Sequence, residues 1–113
     1  MNSSELKTVM VDLFASLSDI FRNENEEKND IKNAEELVAE FKQKFSNESF
    51  EGESKELSDA FLKASCSIIE FKKSNLIVQK SDEYIKGHVN KIVDASNHLV
   101  AFYSLVRLMK DRV

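Results

Sequence analysis

The sequence contains no proline and no tryptophan, and only two glycines and one cysteine among 113 residues. Tight reversals in β-rich folds rely on glycine for positive φ and on proline for a fixed φ. Two such residues in the whole chain argue against a sandwich or a barrel. A single thiol closes no internal disulfide and is too few for a cysteine-based zinc site. The chain must therefore be held by packing. Long apolar runs are also missing. The uncharged stretch over residues 99–106 is far shorter than the roughly 20 residues a membrane span requires, so no span is expected. No apolar core of a signal peptide follows Met1, so synthesis is expected to end in the cytoplasm, and any export would follow a signal-peptide-independent route.

What is present favours helices. Apolar residues make up 42% of the chain and charged residues 32%, which fits one domain built from long solvent-facing helices. Leu6, Met10, Leu13, Leu17, Ile20, Glu24, Glu27, Ile31, Ala34, Val38, Phe41 and Phe45 alternate at spacings of four and three. Ten of these twelve are apolar, which marks a helical seam. The polar insert over residues 22–30 could be a loop with Asp30 capping a new helix. The seam resumes after it in the same phase, however, so one continuous helix is expected. A second seam runs through Leu57, Phe61, Ala64, Ile68, Phe71, Asn75, Val78, Asp82, Ile85, Val89, Ile92, Ser96, Leu99, Tyr103 and Val106. Ser81 with Asp82 and Glu83 reads as a helix start, and Gly87 is a weak helix former, so a break near residues 80–83 is a further expectation.

Between the seams, residues 46–54 cluster small polar side chains around Gly52 and read as a turn, with Ser54 capping a helix from Lys55. The expected fold is a single all-α domain over residues 1–113. A first arm over about residues 4–46, a turn at 47–53 and a second arm over about 54–111 form a long antiparallel hairpin. The alternative is an intramolecular four-helix bundle. The two halves are electrostatically complementary, with net charge −7 over residues 1–53 and +3 over residues 54–113. Exposed pairs contribute only about 0–1 kcal/mol each, so this asymmetry selects pairing more than it stabilises.

Catalytic and metal chemistry find little support. His88 and His98 stand ten residues apart and cannot chelate one ion from one helix face. Cys66, on an apolar-leaning face, is expected to be buried and inert. The acid pairs Glu26-Glu27 and Glu35-Glu36 fit a solvated face better than acid–base catalysis. No glycine-rich phosphate loop exists, and no metal or cofactor is expected. Lys72, Lys73, Lys80, Lys86 and Lys91 give the second half a basic tint, but the acidic first half counters it and nucleic-acid binding is not expected. The stretch from Leu99 to Tyr103 is apolar over more than one face. Leu99, Phe102, Tyr103, Val106 and Leu108 are accordingly the expected partner interface.

One local feature points to a family. Phe50-Glu51-Gly52, followed by Leu57 and Ala60-Phe61, stands between two helical arms. That layout resembles the Trp-X-Gly family of small helical proteins secreted by type VII systems. The resemblance implies that Phe50 tucks across the bend while Gly52 lets the chain turn. It also implies a non-enzymatic partner, targeting factor or helper for a secreted effector or toxin domain, acting as a homodimer or with another helical protein. Phe50 replaces the family's tryptophan. The family's secretion signal, tyrosine followed four residues later by an acid, is absent, because His88 follows Tyr84 and Arg107 follows Tyr103 at that offset. A partner carrying the signal is then implied. An ordinary helical turn with an aromatic plug accounts for the same three residues, and a small acidic cytosolic immunity or inhibitor protein, using Glu24, Glu26 and Glu27 to mimic phosphate charge, is the competing function.

Overall fold

A computed structural model describes residues 3–23, 27–76 and 82–111, and side chains within residues 5–23, 28–75 and 89–108. Four helices account for nearly all of them: α1 (Ser3–Arg22), α2 (Glu27–Lys44), α3 (Glu53–Leu76) and α4 (Asp82–Asp111). No strand occurs among the described residues. The four-and-three spacing of α1 gives one fully inward face, with Leu6, Met10, Leu13, Leu17 and Ile20 all buried. Charge placement helps set the helix ends. Glu5 lies in the first turn of α1, and Arg22 in its last turn pairs with Asp19 at 2.8 Å, each favouring the helix dipole. Glu53 and Glu56 open α3, and Lys42 and Lys44 close α2 in the same sense.

Phenylalanine joins the four helices. The Phe41 ring of α2 meets Phe61 of α3 at 5.1 Å, Phe61 meets Phe102 of α4 at 5.7 Å, and Phe102 meets Phe14 of α1 at 5.9 Å. All eight phenylalanines make at least one ring contact. Tilted and edge-to-face pairs of this kind contribute about 0.5–1.5 kcal/mol beyond area burial. Around them lies one core with Leu57, Ala64 and Ile68 from α3 and Ala95 and Val106 from α4.

The expected single helix through residues 22–30 is not observed. α1 ends at Arg22, Asn23 is non-helical, and α2 begins at Glu27. Ser16, Asp19 and Ile20 line a shallow groove together with Asn33, Leu37 and Glu40, so α2 returns alongside α1. Preserved phase misled because both helices face the same core, and a seam that points inward before a reversal also points inward after it. The bend is held by polar contacts that no periodicity records. Lys72 of α3 donates to the Asn23 carbonyl at 2.6 Å, and Asn23 Nδ2 donates to Asp30 Oδ1 at 2.9 Å.

At the α2–α3 turn, α3 starts one residue before Ser54. The Glu56 N–H donates to the Gly52 carbonyl at 3.1 Å, making Gly52 rather than Ser54 the residue at the helix entrance. Gly52 has φ +59°, a left-handed conformation that strains any residue bearing a Cβ. Phe50 is half-buried and stacks nearly parallel on Phe41 at 6.1 Å, with Phe45 edge-on at 5.9 Å. The expected break near residues 80–83 falls largely outside the described residues. α3 ends at Leu76, and Asp82 and Glu83 already belong to α4, as does Gly87.

Candidate interaction surface

The second seam keeps its phase only as far as α3. Leu57, Phe61, Ala64 and Ile68 are buried as the spacing requires, but in α4 the seam positions Val89 and Tyr103 face solvent. Ala95 and Phe102, each one residue earlier than seam positions Ser96 and Tyr103, fill the core instead. Seam positions Leu99 and Val106 still face the core, so the inward stripe of α4 straddles the seam and the positions just before it, and a second apolar row is left outside. Val89, Val93, Val100 and Tyr103 are 49%, 48%, 59% and 44% exposed. At 3.6 residues per turn these four fall within an arc of about 80° on the outward side of α4. Val11 of α1, 38% exposed, and half-buried Phe14, whose ring lies 5.1 Å from Tyr103, extend this face towards α1.

The expected interface residues are thus divided. Phe102 and Val106 are buried in the chain's own core, and Leu99 is half-buried against it. Tyr103 belongs to the outward row. Leu108 is 52% exposed, about 60° beyond the edge of that arc. The expected interface left out Val89, Val93 and Val100, although Val89 stands on the second seam and Val100 within the apolar stretch from Leu99 to Tyr103. Their spacing with Ser96 and Tyr103, again four and three, is the signal that could have found them.

Charge is the other property of this face. Over residues 89–104 the only ionisable side chains beyond His98 and Tyr103 are Lys91 and Asp94, and by helical position both point well away from the valine row. Ser96 lies within the row, and Asn97 and Ser104 flank it. Arg107, exposed one turn beyond Tyr103, falls on the same arc and closes the row; in a chain that is 32% charged, the apolar row between Val89 and Tyr103 is the kind of surface that marks an interaction site.

The remaining candidates have less to offer. Cys66 is exposed rather than buried, because Ser65 takes the inward position and donates to the Phe61 carbonyl at 2.8 Å. Cys66 and Leu62 line two grooves on either side of α3. One, of about 840 Å³, is shared with His98, Ala101 and Leu105 of α4, and the other with Val38, Ala39 and Lys42 of α2. Ser67 Oγ and His98 Nδ1 share a hydrogen bond across α3 and α4. Ser67 lies in mid-helix, where backbone N–H groups are committed to the helix and leave no donor for a developing oxyanion.

Lys72 and Asp30 are both buried and form an ion pair at 3.1 Å, with the ammonium also 5.6 Å from the Phe71 ring centre. The contact to Asp30 Oδ2 is ionic, its angles falling short of a hydrogen bond. Both charges are committed to each other. Lys73 and Lys91 are exposed, and so are Glu35 and Glu36, whereas Glu24, Glu26, Glu27, Lys80, Lys86 and His88 have side chains outside the described set. Among the described residues no cluster of ligating side chains could hold a metal, and no helix is long and apolar enough to cross a membrane. No protein-family model, curated protein or solved structure matches the chain.

Proposed function

We propose that this chain is a non-enzymatic protein–protein interaction module, a self-contained four-helix bundle that docks a helical partner on the outward face of α4. The uncharged row of Val89, Val93, Val100 and Tyr103 carries the reading, since keeping such side chains in water forgoes about 25 cal/mol per Å² of apolar surface. Two observations favour the bundle over a hairpin. A continuous 43-residue arm would be about 65 Å long, against a longest dimension of 49 Å, and the core draws on all four helices.

In its most specific form the partner is the helical domain of a secreted effector or toxin, for which this chain is a helper or targeting factor. The half-buried Phe50 against Phe41 and the left-handed Gly52 support that form, because they furnish the aromatic plug and the glycine hinge that the Trp-X-Gly resemblance requires. Four helices in place of two unbroken arms weigh against close kinship.

Affinity capture from the native host, comparing the parent chain with Val93→Asp and Val100→Asp, tests the proposal. A protein retained by the parent and lost with both variants supports it, and a helical secreted protein among those lost supports the specific form. Identical capture by all three chains overturns the assignment to α4. Recovery of a nuclease bound through acidic side chains would favour an inhibitor instead.

A further inference from the structure

Short side chains on neighbouring helices leave a depression between α3 and α4. Ala60 and Ala101 both line it, Leu62 and Leu105 add apolar walls, and the groove has a volume of about 840 Å³. Sites for small molecules are concave and mostly apolar, hold about 300–1,000 Å³ and carry a few polar groups that fix orientation. His98 lines the groove beside Cys66, and the hydrogen bond between its Nδ1 and Ser67 Oγ holds the ring against α3, so that wall is formed before any ligand arrives. The lining on α3 runs over residues 56–66, about 15 Å, which suits one small molecule better than a partner helix.

Charge decides the class of ligand. Glu56 and Asp59, three residues apart on one face of α3, bring two acids to one end of the groove. Neither has an ion-pair partner among the described residues. Among the described residues of the lining Lys63 is the one cation, and it lies four residues past Asp59, towards Cys66. Two carboxylates against one ammonium leave this lining net negative. Glu56 is the acid farther from Lys63, about 10 Å along the helix.

We propose that the α3–α4 groove binds a small organic cation, with its apolar body on Ala60, Ala101 and Leu105 and its ammonium at the Glu56–Asp59 end. The site goes beyond the interaction-module reading. His98, Ala101 and Leu105 stand about 120–180° around α4 from the middle of the valine row, so groove and row can be occupied independently. Cys66 takes no part in recognition but reports occupancy, because it is exposed in the same lining.

Probes with one apolar body and different charge test this: phenylbutylamine, phenylbutanol and phenylbutyrate. Each is titrated into the full chain at fixed ionic strength and neutral pH, followed by amide NMR and by the rate at which iodoacetamide alkylates Cys66. The amine should shift amide signals around Ala60, Ala101 and Leu105 and slow alkylation in step with binding. It should bind about tenfold more tightly than the alcohol, as two exposed charge contacts allow. The carboxylate should bind least. Glu56→Gln with Asp59→Asn should bring amine and alcohol to equal affinity. Ala101→Leu fills the groove from an exposed position, so it should abolish binding of all three while leaving helical circular dichroism unchanged. Val93→Asp, on the valine row, should change nothing.

An alcohol that binds the parent chain as tightly as the amine overturns the cationic assignment. Shifts that follow the valine row, no shifts at all, or amine binding that survives Ala101→Leu overturn the site. None of these results touches protein capture through α4, which Val93→Asp tests by itself.

Discussion

Replacing Lys72 with methionine tests how the bend between α1 and α2 is held. Methionine keeps the unbranched stem in a site that is 1% exposed and removes only the ammonium. Asp30, 2% exposed, then keeps the Asn23 amide as a neutral donor but loses its counter-charge. Breaking one side of a buried pair costs about 3–5 kcal/mol, mostly because the remaining charge is uncompensated. Against a total stability of about 5–15 kcal/mol, that is a large fraction. It corresponds to a fall in melting temperature of roughly 10–25 °C for a domain of this size. Asp30→Asn added to Lys72→Met removes the stranded charge while keeping a group that can accept from Asn23. The double variant should therefore be more stable than Lys72→Met alone. The Asn23 carbonyl loses its lysine donor in both chains, so that cost cancels in the cycle. Urea and thermal unfolding followed by far-ultraviolet circular dichroism give all four corners. A Lys72→Met chain within about 1 kcal/mol of the parent, or two single effects that simply add, would refute the claim that the pair is buried and coupled.

Phe61→Ala should cost about 3–5 kcal/mol in the same assay, since Phe61 touches both Phe41 and Phe102 and is fully buried. Phe50→Ala, at a half-buried ring, should cost less, about 1–2 kcal/mol rather than the about 3 expected of a ring wholly enclosed; equal losses at the two positions would contradict the packing described. Gly52→Ala should destabilise by about 1–2 kcal/mol through its left-handed φ alone, because a Cβ at that position meets no atom within 4 Å. Unchanged urea unfolding would show that the turn readily adopts another conformation. Cys66, exposed on α3, should react with a thiol reagent in the native state at a rate near that of the unfolded chain, and strong protection would mean the thiol is covered.

Helix placement followed from spacing where one face alone was apolar. The α1 row from Leu6 to Ile20 and the α3 row from Leu57 to Ile68 are buried as read, and the glycine turn lies where clustered Ser, Asn and Gly residues put it. The bend at Asn23 escaped because it depends on Lys72, forty-nine residues away, donating to a backbone carbonyl. A lysine in an amphipathic pattern reads as solvated, and only the tertiary approach of α3 makes it a core residue. Register in α4 escaped for a related reason. That helix is apolar on two sides, so spacing alone could not decide whether Phe102 or Tyr103 turns inward. The tilted contact with fully buried Phe61 decides for Phe102, since Phe14 meets both rings. The interface residues chosen from local hydrophobicity therefore mix core with surface, and the three most exposed valines are not among them.

The placement of Tyr103 gives the protein an optical reporter of its own. With no tryptophan to dominate emission, ultraviolet fluorescence comes from two phenols, and one of them lies at the rim of the valine row, 44% exposed beside Phe14. Covering that row would shield the Tyr103 ring from an added quencher such as iodide or acrylamide, so an unlabelled sample can signal occupancy of its surface by the accessibility of its own light.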